Sequence, residues 1–167
     1  GLRVENPAGF QSGSAFQFDE ILMKLDIGTI TKDPVVIQEI VIQRPRIRYE
    51  IGANETNVGR IQKNVVGHSP KGGTEGESKR KAPNVVIRDL YFRNGEVVVA
   101  QTALLKQGIT VPLPELHLTN IGSADRGGAT PGDVAKAILE NLAGAVTKAV
   151  GSMNIGQLGQ TAVEDFK

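Results

Sequence analysis

The side chains able to do chemistry are few and scattered in this chain. Its two histidines are His68, inside a polar run, and His117, which alternates with Leu116 and Leu118 as a strand residue would. Neither has a second ligand or a nucleophile at the spacing that metal or acid–base sites require. There is no cysteine, which removes disulfides, thiolate zinc sites and cysteine nucleophiles together. Serines occur without a Gly-x-Ser-x-Gly elbow. The acids Asp19, Glu39 and Glu50 alternate with apolar residues, the pattern of a solvated strand face. Gly67 to Thr74 is rich in glycine but lacks the Gly-Lys-Ser/Thr of a phosphate loop. Asn54-Glu55-Thr56 matches a glycosylation sequon, which has meaning only in a eukaryotic secretory setting. Lys79-Arg80-Lys81, with Lys71, Glu75 and Glu77 nearby, reads as a solvated loop before it reads as a contact for anionic lipid. The expectation is a protein that is not an enzyme and uses no cofactor or metal.

What remains is surface, and the composition supports that. Apolar residues make up 40% of 167, mainly Val, Ile, Leu and Ala, with 20 glycines and 8 prolines as punctuation. That suits one domain of many short strands. The net charge of +1, from 19 basic and 18 acidic residues, argues against nucleic acid as a partner. No run is apolar for the 18 or so residues that a membrane helix needs. The chain opens at Gly1 in a strand-like run without an initiator methionine, so an upstream leader or anchor is an open expectation.

Seven stretches read as strands. Leu2 to Asn6 closes in the turn Asn6-Pro7-Ala8-Gly9. Phe16 to Ile27 changes phase near Asp19-Glu20, since Phe16 and Phe18 share one parity and Ile21, Met23, Leu25 and Ile27 the other; this predicts a bulge. Residues 35–43 are apolar on both sides, as for a strand covered on two faces. Beyond Arg44-Pro45, residues 46–52 alternate cleanly, so Pro45 marks a bend, bulge or break. Residues 85–92 and 96–100 flank Asn94-Gly95, the signature of a type I′ hairpin. Residues 108–119 change parity at Pro114.

Two helices complete the reading. Residues ~54–66 carry Val58, Ile61 and Val65 at helical spacing, with Asn54 or Thr56 as cap. Residues ~131–150 open at Thr130-Pro131-Gly132-Asp133 and place Val134, Ile138, Leu142, Ala145 and Val146 on one stripe. Residues 67–83 form a flexible loop, and 151–167 a weakly structured or helical tail. The fold class is α+β, mainly antiparallel β: a strongly twisted sheet or half-barrel of about seven strands, in one domain over 1–150. So much apolar β surface either closes into an ordinary core or leaves part of one face for a lipid, a partner or a second copy.

The ordered set GLRVENPAGFQSGSAFQFDEILMKLDIGTI, VVIQEIVIQRPRIRYE and NETNVGRIQKNV, then VVIRDLYFRNGEVVV, VPLPELHLTNIG and GGATPGDVAKAIL, resembles the small AsmA-like proteins of bacterial envelopes. These are relatives of the AsmA/TamB-type repeating β-groove proteins. The resemblance covers about residues 1 to 150 and holds no catalytic signature. It implies a periplasmic protein tethered to the inner membrane by an N-terminal helix outside this sequence. It also implies a role in phospholipid transfer or envelope biogenesis. At about 4.8 Å per strand, this length is too short to bridge a periplasm alone.

Two functions follow from that reading. In the first, an apolar sheet face binds phospholipid acyl chains or docks a partner, lined by Ile47, Tyr49, Ile51, Val86, Phe92, Val97 and Val99. In the second, the chain is a structural or assembly module that pairs with itself or with envelope proteins through its sheet edges.

Overall fold

The computed structural model describes residues 1–11, 13–67, 82–100, 109–123 and 127–152. In chain order these form β1 (Leu2–Glu5), β2 (Ser14–Phe18), β3 (Glu20–Leu25), β4 (Val35–Gln43), β5 (Arg46–Glu50), α1 (Asn57–Gly67), β6 (Val85–Arg93), β7 (Gly95–Ala100), β8 (Ile109–Leu113), β9 (Leu116–Ile121) and α2 (Pro131–Gly151). A single 3-10 turn, Ile27–Thr29, follows β3. The strands hydrogen-bond in two mixed sheets, ordered β1-β2-β5-β7-β8 and β3-β4-β6-β9.

The two sheets are halves of one surface. Each long strand passes from one half to the other through a short break: Asp19 between β2 and β3, Arg44-Pro45 between β4 and β5, Asn94 between β6 and β7, and Pro114-Glu115 between β8 and β9. Register carries straight across. The central parallel ladder keeps one constant offset from Val35 opposite Val85 to Glu50 opposite Ala100. The antiparallel ladder from Val99–Ile109 to Gly95–Leu113 resumes at Phe92–Leu116. Likewise Gln17–Arg46 leads on to Glu20–Gln43. Arg44 N–H donates to the Arg93 carbonyl and Glu96 N–H to the Pro45 carbonyl, each at 2.9 Å, so the crease itself is stitched. The result is an open, folded sheet, which fits the half-barrel expectation without closing into a barrel.

Every long strand changes phase at this crease. The core-facing parity moves from Ile40 and Ile42 to Ile47 and Tyr49, and from Leu90 and Phe92 to Val97 and Val99. It moves from Val111 and Leu113 to Leu116 and Leu118, and from Phe16 to Ile21 and Met23. One extra residue per strand does this, because side chains alternate with a period of two. Arg44 (φ 49°) and Asn94 (φ 54°) carry the kink in adjacent strands.

This corrects the hairpin reading of Asn94-Gly95. A type I′ turn needs positive φ at both central residues, and only Asn94 has it. The chain runs on from β6 to β7 with no reversal. Gly95 is there for close approach: a Cβ would lie 2.7 Å from Pro45 Cγ and 2.9 Å from Leu113 Cδ2. The central ladder is parallel, reached by a crossover through α1, while the ladders on either side of it are antiparallel, so the fold stays mainly antiparallel as expected.

The helices close the inner side. α2 packs on β7, β8 and β9, and so spans the crease, while α1 packs on β5 and α2. Thr130 caps α2, its Oγ1 accepting from Asp133 N–H at 3.2 Å, and Pro131 stands in the first turn. That is the start signal read from sequence. Val134, Leu142, Ala145, Val146 and Ala149 are buried along α2. Thr56 precedes α1 and accepts from Gly59 N–H at 3.1 Å, and Val58 and Ile61 are buried. His68, most of the 67–83 loop with Lys79-Arg80-Lys81, and the tail beyond Ser152 lie outside the described residues.

Candidate functional site

Most of the apolar residues expected to line a ligand face belong to the protein's own core: Ile47, Phe92 and Val97 lie in it and Tyr49 and Val99 pack against it. Ile47 and Val97 stand side by side in a row that runs from Phe16 to Val111, and both are sealed from solvent. Phe92 is equally buried beside Ile42, and Val86 is buried opposite Val36. Tyr49 and Val99 are neighbours in the next row, half-buried against the same core. Ile51 is exposed just past β5 and bridges to Thr56. The structure therefore joins Ile47, Tyr49, Val97 and Val99 into one patch, but α1 and α2 cover that side of the sheet. Each buried aliphatic or aromatic side chain there contributes about 1.5–3 kcal/mol to folding.

The polar candidates are structural or solvated. His117 Nε2 contacts Asp89 Oδ1 at 2.7 Å, and its ring stacks on Tyr91 with centroids 4.2 Å apart. The Arg93 guanidinium lies 4.5 Å from the Tyr91 ring centre. This row sits on the outer face of the β6–β9 ladder, half open to water, next to Lys24–Glu39 at 2.6 Å. Depressions along the crease are lined by Gln17, Asp19, Arg44, Arg46, Asn94 and Glu96. Their charges are paired, Arg46 with Glu96 and Arg44 with Asp19. Among the described residues no group of His, Asp and Glu is placed to hold a metal, and no helix is long and apolar enough to cross a membrane.

One polar cluster is built around two fully buried side chains, Asn57 and Glu50, and sequence patterning did not show it. Asn57 Oδ1 accepts from the N–H groups of Glu50 and Val58, each at 2.9 Å, while Nδ2 donates to the Arg48 carbonyl at 2.7 Å and to Asn6 Oδ1 at 2.8 Å. Asn6 Nδ2 donates to the Gln11 carbonyl, and Gln11 N–H donates to Glu50 Oε1 at 2.6 Å. Glu50 is wholly enclosed and its Oε2 has no partner among the described residues. Phe10 packs where a Gly52 Cβ would stand, 3.1 Å away. The segments NPAGF, YE and NETN thus meet in a single knot that ties the first turn of the chain to the end of β5 and the start of α1. Alternation had placed Glu50 on a solvated face; the loop folded over it reverses that.

The exposed apolar surface lies elsewhere, on β3. Among the described residues β3 pairs on one side only, with β4. No described residue pairs with its outer flank; β1 pairs with β2, from Leu2 opposite Phe18 to Glu5 opposite Ser14. Met23 is 56% exposed and Leu22 54%, with Ile21 and Leu25 also exposed. Ile27 (80%) and Ile30 continue the strip through the 3-10 turn. Ile21 and Met23 are the uncovered ends of two core rows, Ile21–Ile42–Phe92–Leu116 and Met23–Ile40–Leu90–Leu118. The packed inner face therefore runs out to an edge that still offers apolar side chains. It also offers a flank of unpaired peptide groups, the arrangement that templates strand addition.

Among the described residues Glu55 is the one titratable group that departs clearly from its ordinary value. Hydrogen bonds from Lys63, then from Arg60, hold its carboxyl below the usual glutamate range. The three side chains sit at the start of α1, away from β3, and pin that helix to its leading loop.

No family model matches the chain, and neither a curated protein nor a solved structure matches it.

Proposed function

We propose that this protein is a non-enzymatic assembly module that docks an extended strand along β3. The observation that carries this reading is the exposed apolar β3, whose outer flank no described residue pairs, while Ile47, Phe92 and Val97 are buried in the core. Backbone pairing would supply affinity, and the alternation of Ile21 and Met23 with Leu22 would supply two apolar rows for a partner's side chains. The resemblance in residues 1–150 supports a setting in the bacterial periplasm, tethered at the inner membrane, where such a module would join a larger envelope assembly. Acyl-chain binding at the concave face has less support, since α1 and α2 would have to leave it first.

A designed strand peptide of alternating apolar and charged residues tests the reading, with amide hydrogen exchange as readout. Saturating peptide should slow exchange in residues 20–25, and Met23→Pro, which breaks the strand, should abolish the effect. Unchanged exchange in β3 at millimolar peptide would sink it.

A further inference from the structure

We infer that the strand docked on β3 is β3 of a second copy of this chain, in antiparallel register centred on Leu22. This rests on the assembly reading above and names its partner. The argument is the order of residues in the bare segment. β1 pairs Leu2 with Phe18, and among the described residues the flank of β3 away from β4, Glu20 to Leu25, has no pairing strand. There the sequence is Glu20-Ile21-Leu22-Met23-Lys24, which is complementary to itself when reversed.

Antiparallel pairing about Leu22 sets Glu20 against Lys24 of the second copy, and Lys24 against its Glu20. Ile21 meets Met23, Met23 meets Ile21, and Leu22 meets Leu22. Residues directly opposite share a face. The two Ile21–Met23 pairs therefore prolong the inner apolar rows from one molecule into the next, and both charge pairs and Leu22 fall on the outer face. Lys24 already leans toward Glu39 at 2.6 Å, so the partner's Glu20 would join a pair that exists. A shift of one residue in either direction loses both Glu–Lys contacts. The arrangement is isologous and closes at two copies, as most soluble homo-oligomers do. Five paired residues make a contact smaller than the roughly 1,200 Å² buried by stable interfaces, so association depends on concentration.

The test is sedimentation equilibrium with a charge-swap series. The parent should form dimers that dissociate on dilution. Lys24→Glu and Glu20→Lys alone each turn two attractive contacts into repulsive ones and should raise the dimer Kd about tenfold or more. The double variant Glu20→Lys/Lys24→Glu restores both pairs and should return the Kd to near the parent value. Because the swap sits on exposed side chains, circular dichroism should show all three folded. A strand-forming extension added ahead of Gly1 should abolish the dimer, since the β1 register would lay it against Glu20 and onward.

Failure of the double variant to rescue, or a dimer that survives the extension, would overturn the proposed register. A parent that stays monomeric at millimolar concentration while the designed peptide still protects β3 would overturn the second copy but keep strand docking. A monomer whose β3 ignores the peptide would overturn both. If the natural protein carries residues before Gly1 and is monomeric with them in place, the edge belongs to them and the second copy is again excluded.

Discussion

Gly95→Ala is the substitution that tests the crease most directly. In a type I′ hairpin, glycine at the second turn position serves its positive φ, and alanine there would cost about 1–2 kcal/mol of backbone strain whatever its neighbours. In the creased sheet the reason is different. Gly95 has no positive φ, and the new methyl would lie 2.7 Å from Pro45 Cγ and 2.9 Å from Leu113 Cδ2. Leu113 can rotate a methyl away. Pro45 cannot: its ring is rigid and it is among the fully buried side chains. Overpacking of this kind costs about 1–3 kcal/mol, which for a chain of this size lowers Tm by roughly 2–10 °C. The decisive measurement is a double-mutant cycle in urea with Pro45→Ala, which deletes Cγ and opens the space. The two changes should couple, so that Gly95→Ala costs at least about 1 kcal/mol less in the Pro45→Ala background than in the parent. Additivity to within about 0.5 kcal/mol would refute the close-approach account of Gly95 and with it the register across the crease.

Two further outcomes follow from the polar groups. Asn57→Ala would strip partners from Glu50 N–H, Val58 N–H and the Arg48 carbonyl inside the buried knot. At about 1–3 kcal/mol per stranded buried group it should destabilise by about 3 kcal/mol or more, seen as a drop in the urea midpoint; a loss under about 1 kcal/mol would show that the knot is solvated. Glu55 is held below its ordinary value by Lys63 and Arg60, so the unfolded chain binds its proton at a higher pH than the folded one. Its contribution is therefore present above the usual glutamate value of about 4.3 and is lost as pH falls through the folded value. Glu55→Gln should lower the urea midpoint at pH 6–7, and the two proteins should converge in more acidic solution; a gap that stays constant down to pH 3 would contradict the assigned pairing.

How much of this was legible depends on whether a signal was local. The α2 start at Thr130-Pro131-Gly132-Asp133 and the stripe through Leu142 and Val146 stand as read, because capping and helical period are settled within a few residues. The phase changes at Asp19, Pro45 and Pro114 are visible one at a time, as a bulge, as a bend, bulge or break, and as a change of parity that means a bulge or an edge. Asn94-Gly95 was the fourth member of the same set, mistaken for a reversal. What the sequence could not show is that all four line up, since alignment of kinks is a property of the ladders between strands. The buried state of Glu50 was illegible for the same reason: alternation reports the two faces of a strand, and a loop closing over one face from 39 residues away in sequence leaves no mark in it.

The crease also explains why Ile47, Phe92 and Val97, first suspected of binding, are core while no described residue pairs with the outer flank of β3. A flat sheet with these strands would present one apolar face, and a single 21-residue helix could cover only part of it. Folding the sheet across its middle brings its two halves around α2, so one helix meets β7 and β8 on one side and β9 on the other. The economy has a geometric limit. Covering by α2 is best at β7, β8 and β9, and it weakens toward the opposite edge. There the upper half receives β1 as an extra strand and the lower half ends at β3. The rows ending in Ile21 and Met23 are therefore continued by apolar residues but covered by nothing in the described chain. Solvent-facing edges are commonly kept short, charged, bulged or broken by proline. β3 has its charges at Glu20 and Lys24 and a register shift at Lys24–Leu25, and between those charges it keeps three consecutive apolar residues, the feature on which the proposed strand docking rests.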